Sequence, residues 1–143
     1  KGEKEAILTD EIAGYELFKK YDCATCHVGE ILGGQSYELI GVKGDYFAER
    51  QAEMTEEDNG RFKQTQTERD RHRFKVPGLR NIELTAPYFH DGSMATMDDA
   101  VRAMAKYQLG IDLPQPEVDK IVGFLRTLTG EYKGKLLTNK NII

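Results

Sequence analysis

Residues 23–27 read Cys-Ala-Thr-Cys-His, and three of the five can bind a metal or do redox chemistry. Two thiols followed by an imidazole fit a zinc site, a redox disulfide or the covalent anchor of a haem. Cys23 and Cys26 are the only cysteines in the chain. A structural zinc site usually takes four protein ligands, with a second Cys or His pair at matching spacing. The remaining histidines, His72 and His90, stand 18 residues apart and offer no such pair. A thioredoxin-type dithiol belongs within a βαβ pattern, and none is visible here. The histidine directly after the second cysteine separates these readings, because C-x-x-C-H is the c-type haem attachment signature. In that chemistry the two thiols become thioethers on the haem vinyl groups and His27 becomes an axial iron ligand.

The other axial position decides what such an iron does. Left open, it can meet peroxide or a gas; closed by methionine, it becomes an electron carrier of raised potential. The sulfur candidates are Met54, Met94, Met97 and Met104, and the nitrogen candidates are His72 and His90. Met54 and His72 fall in a strongly charged stretch and read as solvated surface. Met97 and Met104 lie seven residues apart on one helical face, so one can bind iron while the other packs. His90 sits in "PYFHDG", a polar turn beside aromatics, where it can bind iron or a haem propionate. Residue types alone leave Met94, Met97 and Met104 open.

Three helices are expected to position these groups. The first covers 9–21, with Thr9 or Asp10 as N-cap, Glu11 in the first turn, and Ile12, Tyr15 and Phe18 on one face. The second covers 97–108, capped by Thr96 with Asp99 placed for a capping box. The third covers 117–129, with Pro116 at its start and Val118, Ile121, Val122, Leu125 and Leu128 on one face. Gly14 would let the first helix approach the third near Phe124 and Leu125. Residues 28–50 are glycine-rich loop, 49–73 a solvated charged loop with a helical turn at Thr55–Asp58, and 74–92 an irregular wrap. Strand signal is slight. The expected fold is mainly α: a c-type cytochrome with three main helices and long irregular loops wrapping one covalent haem.

The chain has 143 residues, of which 39% are hydrophobic, enough for one core, and a net charge of −4 that argues against a nucleic-acid binder. No run approaches the roughly 18 apolar residues of a membrane span. The whole of 1–143 reads as a single domain, with a core of about 9–130 and a surface tail over 131–143. It opens without an initiator Met or a signal peptide, which reads as a processed form or a piece of something longer. Tryptophan is absent.

"TEEDNGRFKQTQTERDRHRFKVPGLRN", "FKVPGLRNIELTAPYFHDGSMATMDDAVRAMAKYQL" and "VDKIVGFLRTLTG" resemble, in order and spacing, the bacterial di-haem cytochrome c peroxidases. The likeness runs from about Glu11 to Gly130 and matches the C-terminal half of that family. This half holds a high-potential, His/Met-ligated haem that takes electrons from a small donor, a cytochrome c or cupredoxin, and passes them to a peroxidatic haem in the N-terminal half. Carried over by position, the resemblance assigns Cys23 and Cys26 to the thioethers, His27 to the proximal ligand and Met104 to the second ligand. Met94 and Met97 then become packing residues, and His90 matches a histidine near the haem that is not the resting ligand. Relatives with a tyrosine ligand are disfavoured by Met104. The resemblance also implies a weak, incomplete calcium site at the backbone carbonyls of Thr85 and Pro87.

The function expected is therefore an electron-transfer haem domain of a periplasmic peroxidase, with little peroxidase turnover by this chain alone. It would partner an N-terminal peroxidatic domain and the small donor, and dimerisation is compatible with the family. The competing readings are a stand-alone mono-haem electron carrier or sensor, and a haem whose labile methionine admits peroxide or a gas.

Overall fold

The computed structural model describes residues 6–140. Helix α1 runs Thr9–Lys20, one residue shorter than expected. Its N-cap is Leu8, not Thr9 or Asp10, and no cap side chain bonds the first turn. Instead the Glu11 carboxylate reaches back to accept from the Leu8 amide at 2.7 Å, filling one of the donors a helix start leaves open.

Three short elements come next: strand β1 (Tyr37–Leu39), helix α2 (Tyr46–Glu49) and helix α3 (Phe62–Thr65). Strand β2 (Arg73–Lys75) pairs antiparallel with β1, Tyr37 opposite Lys75 and Leu39 opposite Arg73. Each strand is three residues long, too short for an alternating pattern to show in the sequence.

Helix α4 (Met97–Met104) has the expected capping box, with Thr96 Oγ1 accepting from the Asp99 amide at 3.1 Å. The expected helix to 108 divides in two: past Met104 the chain winds as a π-helix over Ala105–Leu109. Helix α5 (Gln115–Arg126) begins before the predicted start, with Pro116 in its first turn, and ends short of residue 129. The tail forms a small exposed hairpin of β3 (Glu131–Tyr132) and β4 (Lys135–Leu136).

The core lies where α1 crosses α5. Phe18, Val118, Ile121, Val122, Phe124 and Leu125 are all buried, with Leu79, Tyr88 and Met97 completing it from the irregular wrap and α4. Gly14 stands at the crossing as expected: a Cβ there would lie 1.9 Å from the Lys120 carbonyl oxygen and 3.0 Å from Phe124 Cβ. The contact centres on Gly14 and Phe18, one helical turn apart, so the predicted face is rotated. Ile12 and Tyr15 are exposed, although the Tyr15 ring still touches Phe124 at 5.2 Å between centroids. On α5, Leu128 lies past the helix end and is half-buried.

The charged stretch 49–73 is not uniformly solvated. Asp58 is completely buried and Asp70 is 7% exposed. The predicted turn at Thr55–Asp58 is present, the Asp58 amide donating to the Thr55 carbonyl at 3.3 Å.

Candidate functional site

The pentapeptide Cys23–His27 leaves the end of α1 through a sharp bend. Asp22 takes a left-handed conformation at φ 55°, Cys23–Thr25 form one tight 3-10 turn, and the His27 amide closes on the Cys23 carbonyl at 3.1 Å. Both thiols are half-buried and unpaired. Burial pushes the Cys23 thiol up to about 11 and raises that of Cys26. Reactive dithiols need the opposite shift, since the thiolate is the nucleophile.

His27 is half-buried against the ring of Phe18, 6.2 Å between centroids. Its Nδ1–H donates to the Leu32 carbonyl at 3.1 Å. That bond places the proton on Nδ1, the tautomer in which Nε2 carries the lone pair that can bind a metal. Burial lowers the histidine's proton affinity against the opposing pull of the Leu32 and Pro77 carbonyls, so the ring is held neutral. The loop that supplies Leu32 is itself pinned. The Gly34 amide donates to the Val76 carbonyl at 2.7 Å and the Leu79 amide to the Ile31 carbonyl at 2.9 Å. Gly33 at φ 140° makes this possible, because a Cβ there would lie 2.0 Å from the Pro77 oxygen. Two neutral thiols and an imidazole with its proton held on Nδ1 are the donor set that haem c requires.

The candidate second ligands are distributed unequally. Met97 is buried in the core and Met94 packs against it, its backbone bridged to Tyr88. Met54 is 52% exposed. Met104 is half-buried at the junction where α4 becomes the π-helix. Single π turns occur preferentially at functional sites. His72 departs from its expected place on the surface: its Nδ1 donates to the Asp58 carbonyl at 2.7 Å and its ring lies 4.6 Å from Phe47. His90 has Nε2 2.7 Å from the Asp58 carboxylate and stacks on Phe74 at 4.2 Å. Thr85 and Pro87 lie on an exposed turn.

Sequence reasoning missed a buried polar cluster around Asp58. Its carboxylate receives both Arg50 Nη atoms at 2.6 and 2.7 Å, the Thr55 amide at 2.7 Å and His90. Arg50 also donates to Asp91 at 2.9 Å, and Asp91 accepts from the Tyr46 hydroxyl at 3.2 Å. Arg50 holds the Asp58 carboxyl far below the usual range for a carboxylate. Among the described residues, Asp58, His90 and Asp91 form the one group of three or more His, Cys, Asp or Glu donors within 4.8 Å of one another. Arg50 already supplies the cation there, so the group reads as an ion-pair clamp and not as a metal site. The sequence signal available was the pair Arg50 and Asp58 beside the aromatics Tyr46 and Phe47, which no periodicity connects.

No protein-family model matches the chain. The chain is 51% identical over 132 residues to cytochrome c peroxidase Ccp of Escherichia coli, covering 92% of this chain and 28% of that protein. It is 48% identical over 130 residues to the cytochrome c551 peroxidase of Nitrosomonas europaea, covering 91% of this chain and 37% of that protein. The match falls in the C-terminal part of these relatives, so the chain spans well under half the length of the curated proteins it matches. Among solved structures, a MauG-like protein associated with microbial copper homeostasis superposes with a TM-score of 0.71 at 26% identity, over 92% of this chain and 50% of that one. The mainly α, loop-rich architecture expected from the sequence is shared with that protein. Among the described residues no helix is long and apolar enough to cross a membrane.

Proposed function

Over nine-tenths of its length this chain is homologous to a C-terminal portion of the cytochrome c peroxidases, and from that premise we propose that it is their electron-receiving haem c domain. The observation that carries the reading is His27, four residues after Cys23, with Nδ1–H tied to the Leu32 carbonyl in the tautomer whose Nε2 can ligate iron. Cys23 and Cys26 would each add S–H across a haem vinyl group, the sulfur bonding one vinyl carbon and the hydrogen the other. His27 and Met104 would fill the two axial positions. When bound, the haem supplies a one-electron ferric/ferrous couple. The chain's own part is to hold it, close both faces and leave an edge for electron entry. Phe18 and the pinned 28–34 loop would hold the His27 ring in place.

In this reading the parent protein reduces hydrogen peroxide with two protons and two electrons, giving two waters. The electrons come singly from a small donor, a cytochrome c or cupredoxin, in the periplasm, and pass to a peroxidatic domain outside this chain. With His27 and Met104 both serving as iron ligands, the chain alone would turn over little peroxide.

Two predictions test this. Expressed with a cytochrome c maturation system, the chain should gain the mass of one haem that survives denaturation. Cys23→Ser with Cys26→Ser should lose it; a protein that instead carries zinc, or no covalent group, would sink the reading. The ferric protein should also show the long-wavelength sulfur-to-iron charge-transfer band of His/Met haem. Met104→Ala should abolish that band. Met97→Ala should keep it while costing about 2–5 kcal/mol of stability, as a core truncation does. Loss of the band in Met97→Ala alone would transfer the ligand role to Met97.

A further inference from the structure

We propose that Gln108 is a positioning residue for the axial methionine, fixing the π-helical turn after Met104 by bridging it to the backbone of residues 39–42. The inference rests on the reading of Met104 as the iron ligand. Helix α4 is α-helical as far as Met104, and the next five residues wind as a π-helix. Such a turn has poorer intrinsic support than an α turn and persists where other contacts hold it.

Those contacts are built from one side chain. Gln108 Oε1 accepts from the Gly41 amide at 3.0 Å and the Val42 amide at 3.1 Å, and Nε2 donates to the Leu39 carbonyl at 3.0 Å. One amide thus satisfies three backbone groups in a loop 66 to 69 residues away. The loop is itself tight: Gly41 sits at φ +83°, and a Cβ there would lie 2.5 Å from the Gly44 oxygen. Neighbouring contacts run the same way. The Lys43 amide donates to the Tyr107 carbonyl at 2.8 Å, Lys106 pairs with Glu49, and the Tyr107 ring packs edge-on against Tyr46 at 5.3 Å.

The position of the π segment makes this more than a structural brace. It begins directly after Met104, the residue whose sulfur must reach the iron. Converting the turn to α geometry changes the count by one residue, a rotation of about 100° about the helix axis between the segments on its two sides. Because Gln108 and Tyr107 anchor the C-terminal side to the loop, the rotation would fall on Met104. Gln108 therefore sets how firmly the methionine competes for the sixth coordination position.

Imidazole binding to the ferric, haem-loaded chain measures that competition, since an added ligand enters only where Met104 leaves. Wild type is compared with Met104→Ala, Gln108→Leu and Gln108→Glu, reading imidazole affinity, the sulfur charge-transfer band and the unfolding midpoint. Gln108→Leu removes all three bonds and should raise imidazole affinity about tenfold or more, with a weakened band. Gln108→Glu keeps the two accepted bonds, loses the donated one, and should raise the affinity by about threefold. Affinities within about twofold of wild type in both variants, with only the unfolding midpoint lowered, overturn the inference and leave Gln108 a structural brace. Should the leucine variant fail to load haem, the glutamate variant decides by the same limit. A band that persists in Met104→Ala overturns the ligand reading itself. A band lost in Met104→Ala beside unchanged Gln108 variants overturns only the positioning role.

Discussion

Gly14→Ala is expected to lower the stability of the haem-loaded chain by about 3 kcal/mol or more, against a helix-propensity gain of about 1 kcal/mol for replacing glycine. The sign is set by the atoms the new methyl would meet. It would stand 1.9 Å from the Lys120 carbonyl oxygen and 2.6 Å from the carbonyl carbon, where contact distance is about 3.5 Å. That neighbour is backbone in the middle of α5, so no side chain can rotate away. The helices must separate by about 1.5 Å to restore ordinary contact. Separation strips contacts from Phe18, Val118, Ile121 and Phe124, which are buried because the helices are close. It also reaches the proposed iron site, because Phe18 lies against both Phe124, at 5.4 Å, and His27, at 6.2 Å. Equilibrium denaturation should show the loss, and the ferric spectrum of the folded variant should report a disturbed His27. A variant within about 1 kcal/mol of wild type would mean that the crossing is softer than its geometry, since ordinary overpacking already costs about that much.

Local signals in the chain are legible where a single element carries them. The Thr96–Asp99 capping box, the apolar face of α5 and the glycine at the helix crossing each need only a few neighbouring residues. The departures share a cause, which is that the deciding partner lies far along the chain. Nothing between 97 and 109 announces a π turn, because its support comes from Leu39, Gly41 and Val42. Residues 49–73 have the composition of a solvated loop, yet Asp58 is buried because His90 reaches it from 32 residues away. His72 has the sequence surroundings of a surface residue for the same reason. Ile12 and Tyr15 have the spacing of core residues, apolar and one turn apart, but the contact is centred where glycine permits the closest approach. The pentapeptide Cys23–His27 stands out in the sequence because the attachment chemistry proposed for it demands adjacent residues. The choice among methionines is not, and it comes from resemblance rather than from pattern.

The largest electrostatic effect is expected at Asp58. Asp58→Asn keeps the shape of the side chain and removes its charge, leaving Arg50, whose side chain is 7% exposed, to face Asp91 alone. Breaking a buried pair in this way costs about 3–5 kcal/mol, because the remaining charge is neither hydrated nor fully compensated. The carboxylate ties its own turn, through Thr55, to Arg50 and to His90, so the loss is not confined to one loop. The pH dependence identifies the source. Arg50 depresses the folded-state proton affinity of Asp58, so the carboxylate stabilises the fold fully above the unfolded value of about 3.9. Below that pH the unfolded chain takes up a proton that the folded chain refuses, and the contribution shrinks as the pH falls towards the folded value. The gap in unfolding free energy between wild type and Asp58→Asn should therefore be constant from neutral pH down to about 5 and narrow steadily below about 4. Carboxylates common to both proteins cancel in that difference, which leaves Asp58 as the group being titrated. Urea unfolding of both proteins across the acid range measures it. A gap that holds its full size at the lowest pH would assign the loss to packing at the amide rather than to the buried charge.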